Sequence, residues 1–315
     1  MDTPVFHDGE IRAQALAGGG AAGNGIRAFM PDQHREFFPL LPAILLGVPG
    51  AGGQPIATIL TGAPGFVSSP DPTTLRIAAA PPETDPAAGF VRPGRPLGLL
   101  GLDLGTRRRN RANGVIAAAD ASGLTLAVTQ SFGNCAKYIQ KRQVRATTSR
   151  PGAVERLSGL DAEAAALIRG ADTFFVATGV AGLDKGVMDV SHRGGRPGFV
   201  QVAGDTLAVP DFRGNRFYNT LGNLLADPRA GLLFIGFDSG DLLHLEGVVD
   251  IDWTPEGAVP AGTERLWRFR TTGALRRRGA LPLRWDLVEA SPATLETGAW
   301  APPEARHSSG LATIR

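Results

Sequence analysis

The stretch "GRPGFVQVAGDTLAVPDF" at residues 195–212 decides the fold, because its opening has a near copy, "GAPGFV", at residues 62–67. Both pieces run a glycine-proline-glycine turn into an apolar segment, and their starts lie 133 positions apart. "TTLRIAAAP" (73–81) follows the first as "DTLAVPDF" (205–212) follows the second. "LGLLGLDLGTRRRNRANGVI" (97–116) then matches "AGLLFIGFDSGDLLHLEGVV" (230–249), and upstream "LPAILLGVPG" (41–50) resembles "FFVATGVAG" (174–182). A period this long marks a duplicated domain, not a solenoid unit.

Each copy carries the same coarse order. A short amphipathic helix leads, over 32–38 in the first copy and 161–169 in the second. Asp161 suits an N-cap, with Glu163 in the first turn and Gly170 just past the end. Five apolar or alternating runs follow, separated by Gly, Asp or Asn, and consecutive strands without intervening helices favour antiparallel pairing. The expected fold is mainly β with short helices (α+β). Residues 1–29 read as a flexible lead-in, 30–150 as the first copy with a following helix, 151–300 as the second copy and 301–315 as a tail. "ALAGGGAAGNG" in the lead-in has no preceding strand, so it does not read as a dinucleotide fingerprint.

Composition bounds the function. The chain has 315 residues, enough for a sizeable core, and a net charge of only +2, which implies no polyanionic partner. Its single cysteine, Cys135, excludes an intrachain disulfide and a Cys cluster, and the five histidines show no metal-ligand spacing. The start lacks an apolar secretory core, and no run reaches the roughly 18–20 apolar residues of a membrane span. A cytoplasmic location is the expectation. "TRRRNR" (106–111) is the one basic run; without interleaved aromatics it reads as an exposed hairpin or the edge of a pocket, not a nucleic-acid surface.

Function is sought where the copies diverge. The first has a Pro-rich connector, "PETDPAAGFVRPGRP" (82–96), where the second has "RGNRFYNTLGNLLADPRAGLLF" (213–234). There Arg216, Asn219, Thr220 and Asn223 stand at i, i+3, i+4 and i+7, one face of a short helix. Amide and hydroxyl donors with one Arg at a helix start suit a phosphate, the alternative being a capped surface helix. The second divergence, "DVSHRGGRPGFV" (189–200), supplies Ser191, His192, Arg193 and Arg196 where the first copy has "TILTGAPGFV" (58–67).

Together "RPGFVQVAGDTLAVPD", "NTLGNLLADPRAGLLFIGF" and "LEGVV" resemble the pyridoxamine 5′-phosphate oxidase-like flavoproteins, whose FMN-binding split barrel has this succession. The resemblance covers 155–290 well and 35–150 more loosely, and points to a two-copy subgroup. It places Arg196 at the family's strand-opening Arg, which contacts FMN. It sets Gln201 where a substrate-contacting Lys is common. Val209 and Pro210 fall near the pair that touches the isoalloxazine. Asn219 and Thr220 stand where an Arg-Lys pair holds the FMN phosphate, so two cations are replaced by neutral donors, and Arg216 restores one charge. "ADPRAGLLF" (226–234) matches an Asn-Pro-Arg step, with Asp227 for Asn. "AKYIQKR" (136–142) resembles the helix after the barrel, giving Tyr138 and Arg142 as substrate-phosphate contacts beside Lys137. An ordinary amphipathic helix is the alternative. His244 lies on a strand whose counterparts reach the flavin, or is a core or surface histidine.

What the resemblance implies is a pair of split β-barrels packed as an intrachain pseudo-dimer. One FMN is held by Ser191, Arg193, Arg196, Gln201, Arg216, Asn219, Thr220 and Asn223. The activity is oxidoreduction of a small molecule, with a nicotinamide or an electron-transfer partner as reductant, and homodimerisation is compatible with it. A flavin- or ligand-binding carrier or sensor without turnover is the alternative. Replacement of the Lys by Gln201 argues against pyridoxamine phosphate as substrate.

Overall fold

The computed structural model describes residues 5–148, 151–180 and 187–301. The first half supplies strands β1 (Ala43–Pro49), β2 (Pro55–Thr61), β3 (Val67–Asp71), β4 (Thr74–Ile77), β5 (Pro96–Asp103), β6 (Arg108–Asp120) and β7 (Gly123–Gly133). They form one antiparallel sheet in the order β2-β1-β5-β6-β7-β4-β3. After β8 (Lys141–Ala146) and β9 (Val154–Leu157), the second half supplies β10 (Thr173–Val180), β11 (Val187–Gly194), β12 (Gln201–Ala203), β13 (Thr206–Phe212), β14 (Arg229–Ile235), β15 (Leu242–Asp252) and β16 (Thr263–Arg277). These pair in the order β11-β10-β14-β15-β16-β13-β12, strand for strand the same path. β9 joins β16, and β8 pairs with β17 (Leu283–Glu289) in a separate ribbon. Each unit thus has seven strands on its path where the sequence suggested five.

The register repeats as well. Leu100 faces Arg111 in the first sheet and Leu233 faces His244 in the second, each pair shifted by 133 positions. The bulges at Gly114 and Gly247 keep the same spacing. The Pro-Gly turn takes the same backbone in both units: Gly65 and Gly198 have φ of 93° and 86°, which side chains with a Cβ rarely adopt. One strand breaks the spacing. Leu45 faces Leu100 whereas Phe175 faces Leu233, so β1 and β10 are related by 130 positions.

Each sheet has its own core. Ile44, Leu46, Leu97 and Leu99 are buried in the first, Phe174, Val176, Phe234 and Trp267 in the second. A third cluster lies between the sheets, where Leu45, Ile59, Leu100 and Leu102 meet Phe175, Met188, Leu233 and Leu242. Alternate residues of β1 therefore enter different cores, which is why Ala43–Pro49 is an unbroken apolar run buried throughout. Burying each such side chain contributes about 1.5–3 kcal/mol, so the two units share a substantial part of their stability.

The helices carry the differences from expectation. α2 (Asp32–Phe37) and α3 (Ala162–Gly170) lead the two units, and Asp161 caps α3 by accepting from the Ala164 amide at 2.7 Å. The lead-in contains a packed helix, α1 (Asp8–Leu16), closed at its start by a capping box of His7 and Glu10. α1 lies against α4 (Asn219–Ala226), with Gly9 and Gly222 at the crossing. No helix forms over 136–142; a turn at Tyr138 (φ 66°) leads straight into β8. The reason is local: Tyr138 takes a left-handed backbone, and Lys141–Ala146 finds a strand partner in β17. A short helix, α5 (Pro292–Leu295), ends the described fold, and the tail lies outside the described residues beyond Ala301. Among the described residues no helix is long and apolar enough to cross a membrane.

Candidate functional site

A cavity of about 110 Å³ opens where the two sheets meet. Strand β6 of the first unit brings Arg109 and Arg111 to it, two residues apart and so on one face of the strand. The segment after β7 adds Asn134, Cys135, Lys137 and Tyr138. From the second unit come Ser191, His192 and Arg193 of β11, Pro210 and Asp211 of β13, and Arg265 of β16. Asn215, Arg216, Tyr218, Asn219 and Thr220 complete the wall ahead of and within the first turn of α4. Six side chains in this lining are cationic and only Asp211 is acidic.

The arginines differ sharply in how they are compensated. Arg111 donates from Nη1 to Asp189 Oδ1 at 2.9 Å and from Nη2 to the Ser191 hydroxyl at 2.5 Å. Asp189 is itself fixed by Asn113 (2.7 Å) and Asn223 (2.9 Å). Asp211 takes both Arg193 (3.0 Å) and Arg265 (2.9 Å). Arg109 has no carboxylate among the described residues. Its Nη2 approaches Cys135 Sγ at 3.7 Å and its Nη1 lies 3.4 Å from His192 Nδ1. Burial lowers its guanidinium to about 10, only partly opposed by the Cys135 sulfur. His192 is pushed well below its ordinary value by burial and then by Arg109, Arg193 and Arg142, so it is neutral at physiological pH.

The unsatisfied polar atoms around the cavity point one way. Arg109 Nε, Arg111 Nε, Arg193 Nε, His192 Nε2 and Asn134 Nδ2 are buried without a partner. With Arg109 donating to Nδ1, the imidazole proton of His192 sits on Nε2, so all five are donors. Such a lining fits an anionic group rich in acceptors, as a phosphate or carboxylate is. Four non-glycine residues among those described have positive φ, and three of them, Tyr138, Arg216 and Tyr218, line this cavity. Left-handed backbone at such residues costs about 1–3 kcal/mol each and gathers at ligand sites.

The residues singled out in the sequence separate into two sets. Ser191, Arg193, Arg216, Asn219, Thr220, Lys137 and Tyr138 come together around the cavity. Arg216 does so from the loop, at φ 62°, and not from the helix face that its spacing suggested, because α4 begins only at Asn219. Its Nη2 donates to the Gly19 carbonyl at 2.7 Å. Asn219 also donates to Glu10, and Thr220 to Ser191 at 3.1 Å. The others lie apart. Asn223 is buried beneath the cavity between Asp189, Thr178 and His7. Arg196 turns to the carbonyls of Thr294 and Leu295, and Gln201 is exposed on β12 opposite Ala208. Arg142 is buried against Asp172 at 2.9 Å, its guanidinium 4.2 Å over the Phe237 ring, beside a different, mostly apolar cavity. His244 is buried with Nδ1 3.1 Å from the Ala57 carbonyl. Sequence reasoning missed Asp211 and Arg265 as lining residues, whereas the run read as an exposed hairpin or the edge of a pocket supplies Arg109 and Arg111. The signal that was present is the i, i+2 pair within "TRRRNR".

The same position in the other half holds a smaller cavity of about 60 Å³, lined by Ala57, Pro86, Arg156, His244 and Glu246. By register His244 corresponds to Arg111, Leu242 to Arg109 and Glu246 to Asn113. Nearby, Asp85 is matched by Arg277 at 2.6 Å and Thr58 at 2.6 Å. Among the described residues, no buried guanidinium without a counter-charge lies there.

The chain matches no protein-family model and no curated protein sequence at a significant level. Among solved structures, HupZ from Group A Streptococcus is similar at 15% identity, covering 36% of this chain and 90% of that one, with a TM-score of 0.29. A FAD-binding protein from Mesorhizobium loti is similar at 12% identity over 40% and 99% of the two chains, TM-score 0.28. An F420 reductase is similar at 18% identity over 34% and 92%, TM-score 0.26. Each accounts for well under half of this chain.

Proposed function

We propose that the chain is an FMN-binding flavoprotein acting as an oxidoreductase on a small molecule, its two units being split barrels duplicated in tandem and packed as an intrachain pseudo-dimer. The observation that carries this reading is the donor-rich, cationic cavity built from both units. In the proposal the FMN phosphate lies at the mouth, on Arg216, Asn215, Thr220 and the exposed Lys137. Arg111 holds Ser191 and Asn219 in place through hydrogen bonds to both. Tyr138, Pro210 and Phe212 offer apolar surface to a ring, with Tyr138 and Phe212 already 5.6 Å apart. When bound, the flavin supplies the redox chemistry; the protein supplies orientation and electrostatics. Fusion of two copies explains the asymmetry, since one interfacial site keeps its unmatched charge while the buried charges beside its counterpart, Asp85 and Arg277, match each other.

One observation favours a non-catalytic carrier or sensor. Asp211 is doubly paired, His192 is neutral, and burial drives the Tyr138 phenol up to about 12, so none of these three is poised to move a proton near neutral pH. The decisive experiment adds FMN to purified protein and follows absorbance, then adds NADH or NADPH anaerobically. Tight binding with bleaching supports the enzyme, and tight binding without bleaching by either nucleotide or by a reduced ferredoxin supports the carrier. Failure to bind FMN or riboflavin refutes both.

A further inference from the structure

We infer that the corner of the cavity formed by Arg109, His192 and Cys135 is a monoanion seat that takes the carboxylate of the small-molecule substrate. This rests on the flavoprotein reading above and names the substrate class for that same site. The other strand arginines at the junction of the two units have acidic partners: Arg111 has Asp189, Arg193 and Arg265 share Asp211, Arg142 has Asp172, and Arg277 has Asp85. Arg109 alone among them faces only a thiol and a neutral imidazole. A half-buried guanidinium without a counter-charge is destabilising. The corresponding residue of the other unit, Leu242, is buried and apolar, so the fold itself does not need a charge at that register position.

The charge requirement selects a monoanion. One unmatched positive charge is neutralised by one carboxylate, whereas a phosphate dianion suits the mouth, where Arg216 and Lys137 both stand. Donors for the two carboxylate oxygens are at hand in the Arg109 fork, whose Nη groups now meet, among the described residues, only the Cys135 sulfur and His192 Nδ1. The His192 ring is held edge-on against Phe175 at 5.9 Å, and the absence of a side chain at Gly194 leaves room for its Cε1. A carboxylate seated here would lie between the two units, within the same cavity as the proposed flavin.

The test uses the full-length chain with benzoate as the carboxylate probe, FMN as a separate probe, and two variants, Arg109→Leu and Arg109→Gln. Without added anions the Leu variant is expected to melt higher than the parent, by about 2–4 °C, because an unmatched charge is removed. Benzoate should raise the parent's melting temperature in a saturable way. Its affinity should fall about tenfold or more in both variants, as expected for loss of a charge-assisted pair. FMN affinity should change less than about threefold. If FMN affinity falls as far as benzoate affinity, the guanidinium serves the cofactor phosphate and the inference is overturned. It is overturned equally if benzoate binds the variants as it binds the parent, or if thiol titration finds Cys135 ionised below neutral pH and so already the counter-ion of Arg109. Benzoate binding to protein that ignores FMN would sink the flavin reading while leaving the anion seat standing.

Discussion

Arg111 and His244 occupy one register position in two matching sheets, opposite Leu100 and Leu233, yet only Arg111 reaches a carboxylate, Asp189 at 2.9 Å. His244 instead spends its Nδ1 on the Ala57 carbonyl. Duplicated positions with unlike chemistry predict unlike binding. Titrating the protein with FMN should give one flavin per chain, and His244→Ala should leave the affinity within about twofold. A stoichiometry of two would show that the smaller cavity also binds.

Arg216 stands at the cavity mouth, donating to the Gly19 carbonyl. If the proposed phosphate seat is right, its replacement by Ala removes a charge-assisted contact, so FMN should bind more weakly by about 1.5–3 kcal/mol, roughly ten- to a hundred-fold. Arg92 sits exposed in the connector of the first unit and takes no part in this lining. Arg92→Ala should leave FMN affinity unchanged in the same fluorescence-quenching titration. Equal losses at the two sites would contradict a one-sided phosphate clamp.

Much of this architecture was legible in the residues. The turn glycines Gly65 and Gly198 need left-handed backbone, so "GAPGFV" and "GRPGFV" had to mark equivalent corners, and they do. Apolar β1 and β10 were less informative. Matching them on Gly47 and Gly179 puts the strands two residues out of register, because a run buried on both faces has no alternation to fix it. The site was half legible. Asn219 and Thr220 advertise a helix start, but nothing local shows that Glu10, over two hundred residues earlier, takes the Asn219 amide. For Arg109 and Arg111 the residues alone left an exposed hairpin and the edge of a pocket as alternatives, because partners such as Asp189 lie on the other unit.

Three buried imidazoles make stability depend on pH. His34, His192 and His244 all have values lowered first by burial, so the folded protein binds these protons less readily than the unfolded chain. Their stability is therefore present above the unfolded value of 6.5 and is lost as pH falls below it. Each contributes a slope of up to about 1.4 kcal/mol per pH unit in that window. Urea denaturation at about pH 7.5, 6 and 5 should show falling stability, with a shallower fall in His192→Gln. Identical slopes in parent and variant would mean that His192 is protonated in the fold.

Glu10 sets the opposite dependence. Burial first, then the Asp189 charge, raises its carboxyl, so the fold favours the protonated form. Its stabilising effect is complete below the unfolded value of 4.5 and is lost as pH rises through the folded value. Glu10→Gln removes the charge and keeps an acceptor for the His7 amide, but turns its NH2 toward the Asn219 amide and so loses that hydrogen bond at every pH. Relative to the parent, the variant should be more stable near pH 7.5 than near pH 4.5 by about 1 kcal/mol, measured by urea denaturation at both values.

The α1–α4 crossing tests whether residues 8–16 belong to the site or merely decorate it. A Cβ at Gly222 would overlap the Glu10 backbone, and one at Gly9 would overlap the Gly222 carbonyl, so the helices touch backbone to backbone. Gly222→Ala removes glycine from a helix, which by propensity alone should stabilise α4 by about 1 kcal/mol. Overpacking at the crossing works against this and typically costs about 1–3 kcal/mol. The clash involves backbone on both sides and so cannot be relieved by rotating a side chain; destabilisation should win. Displacing α1 also withdraws Glu10 from Asn219 and His7 from Asn223, loosening the wall of the cavity. Gly222→Ala should therefore lower the melting temperature and weaken FMN binding together. An unchanged or higher melting temperature would mean that propensity prevails and that α1 is not held against α4 in solution.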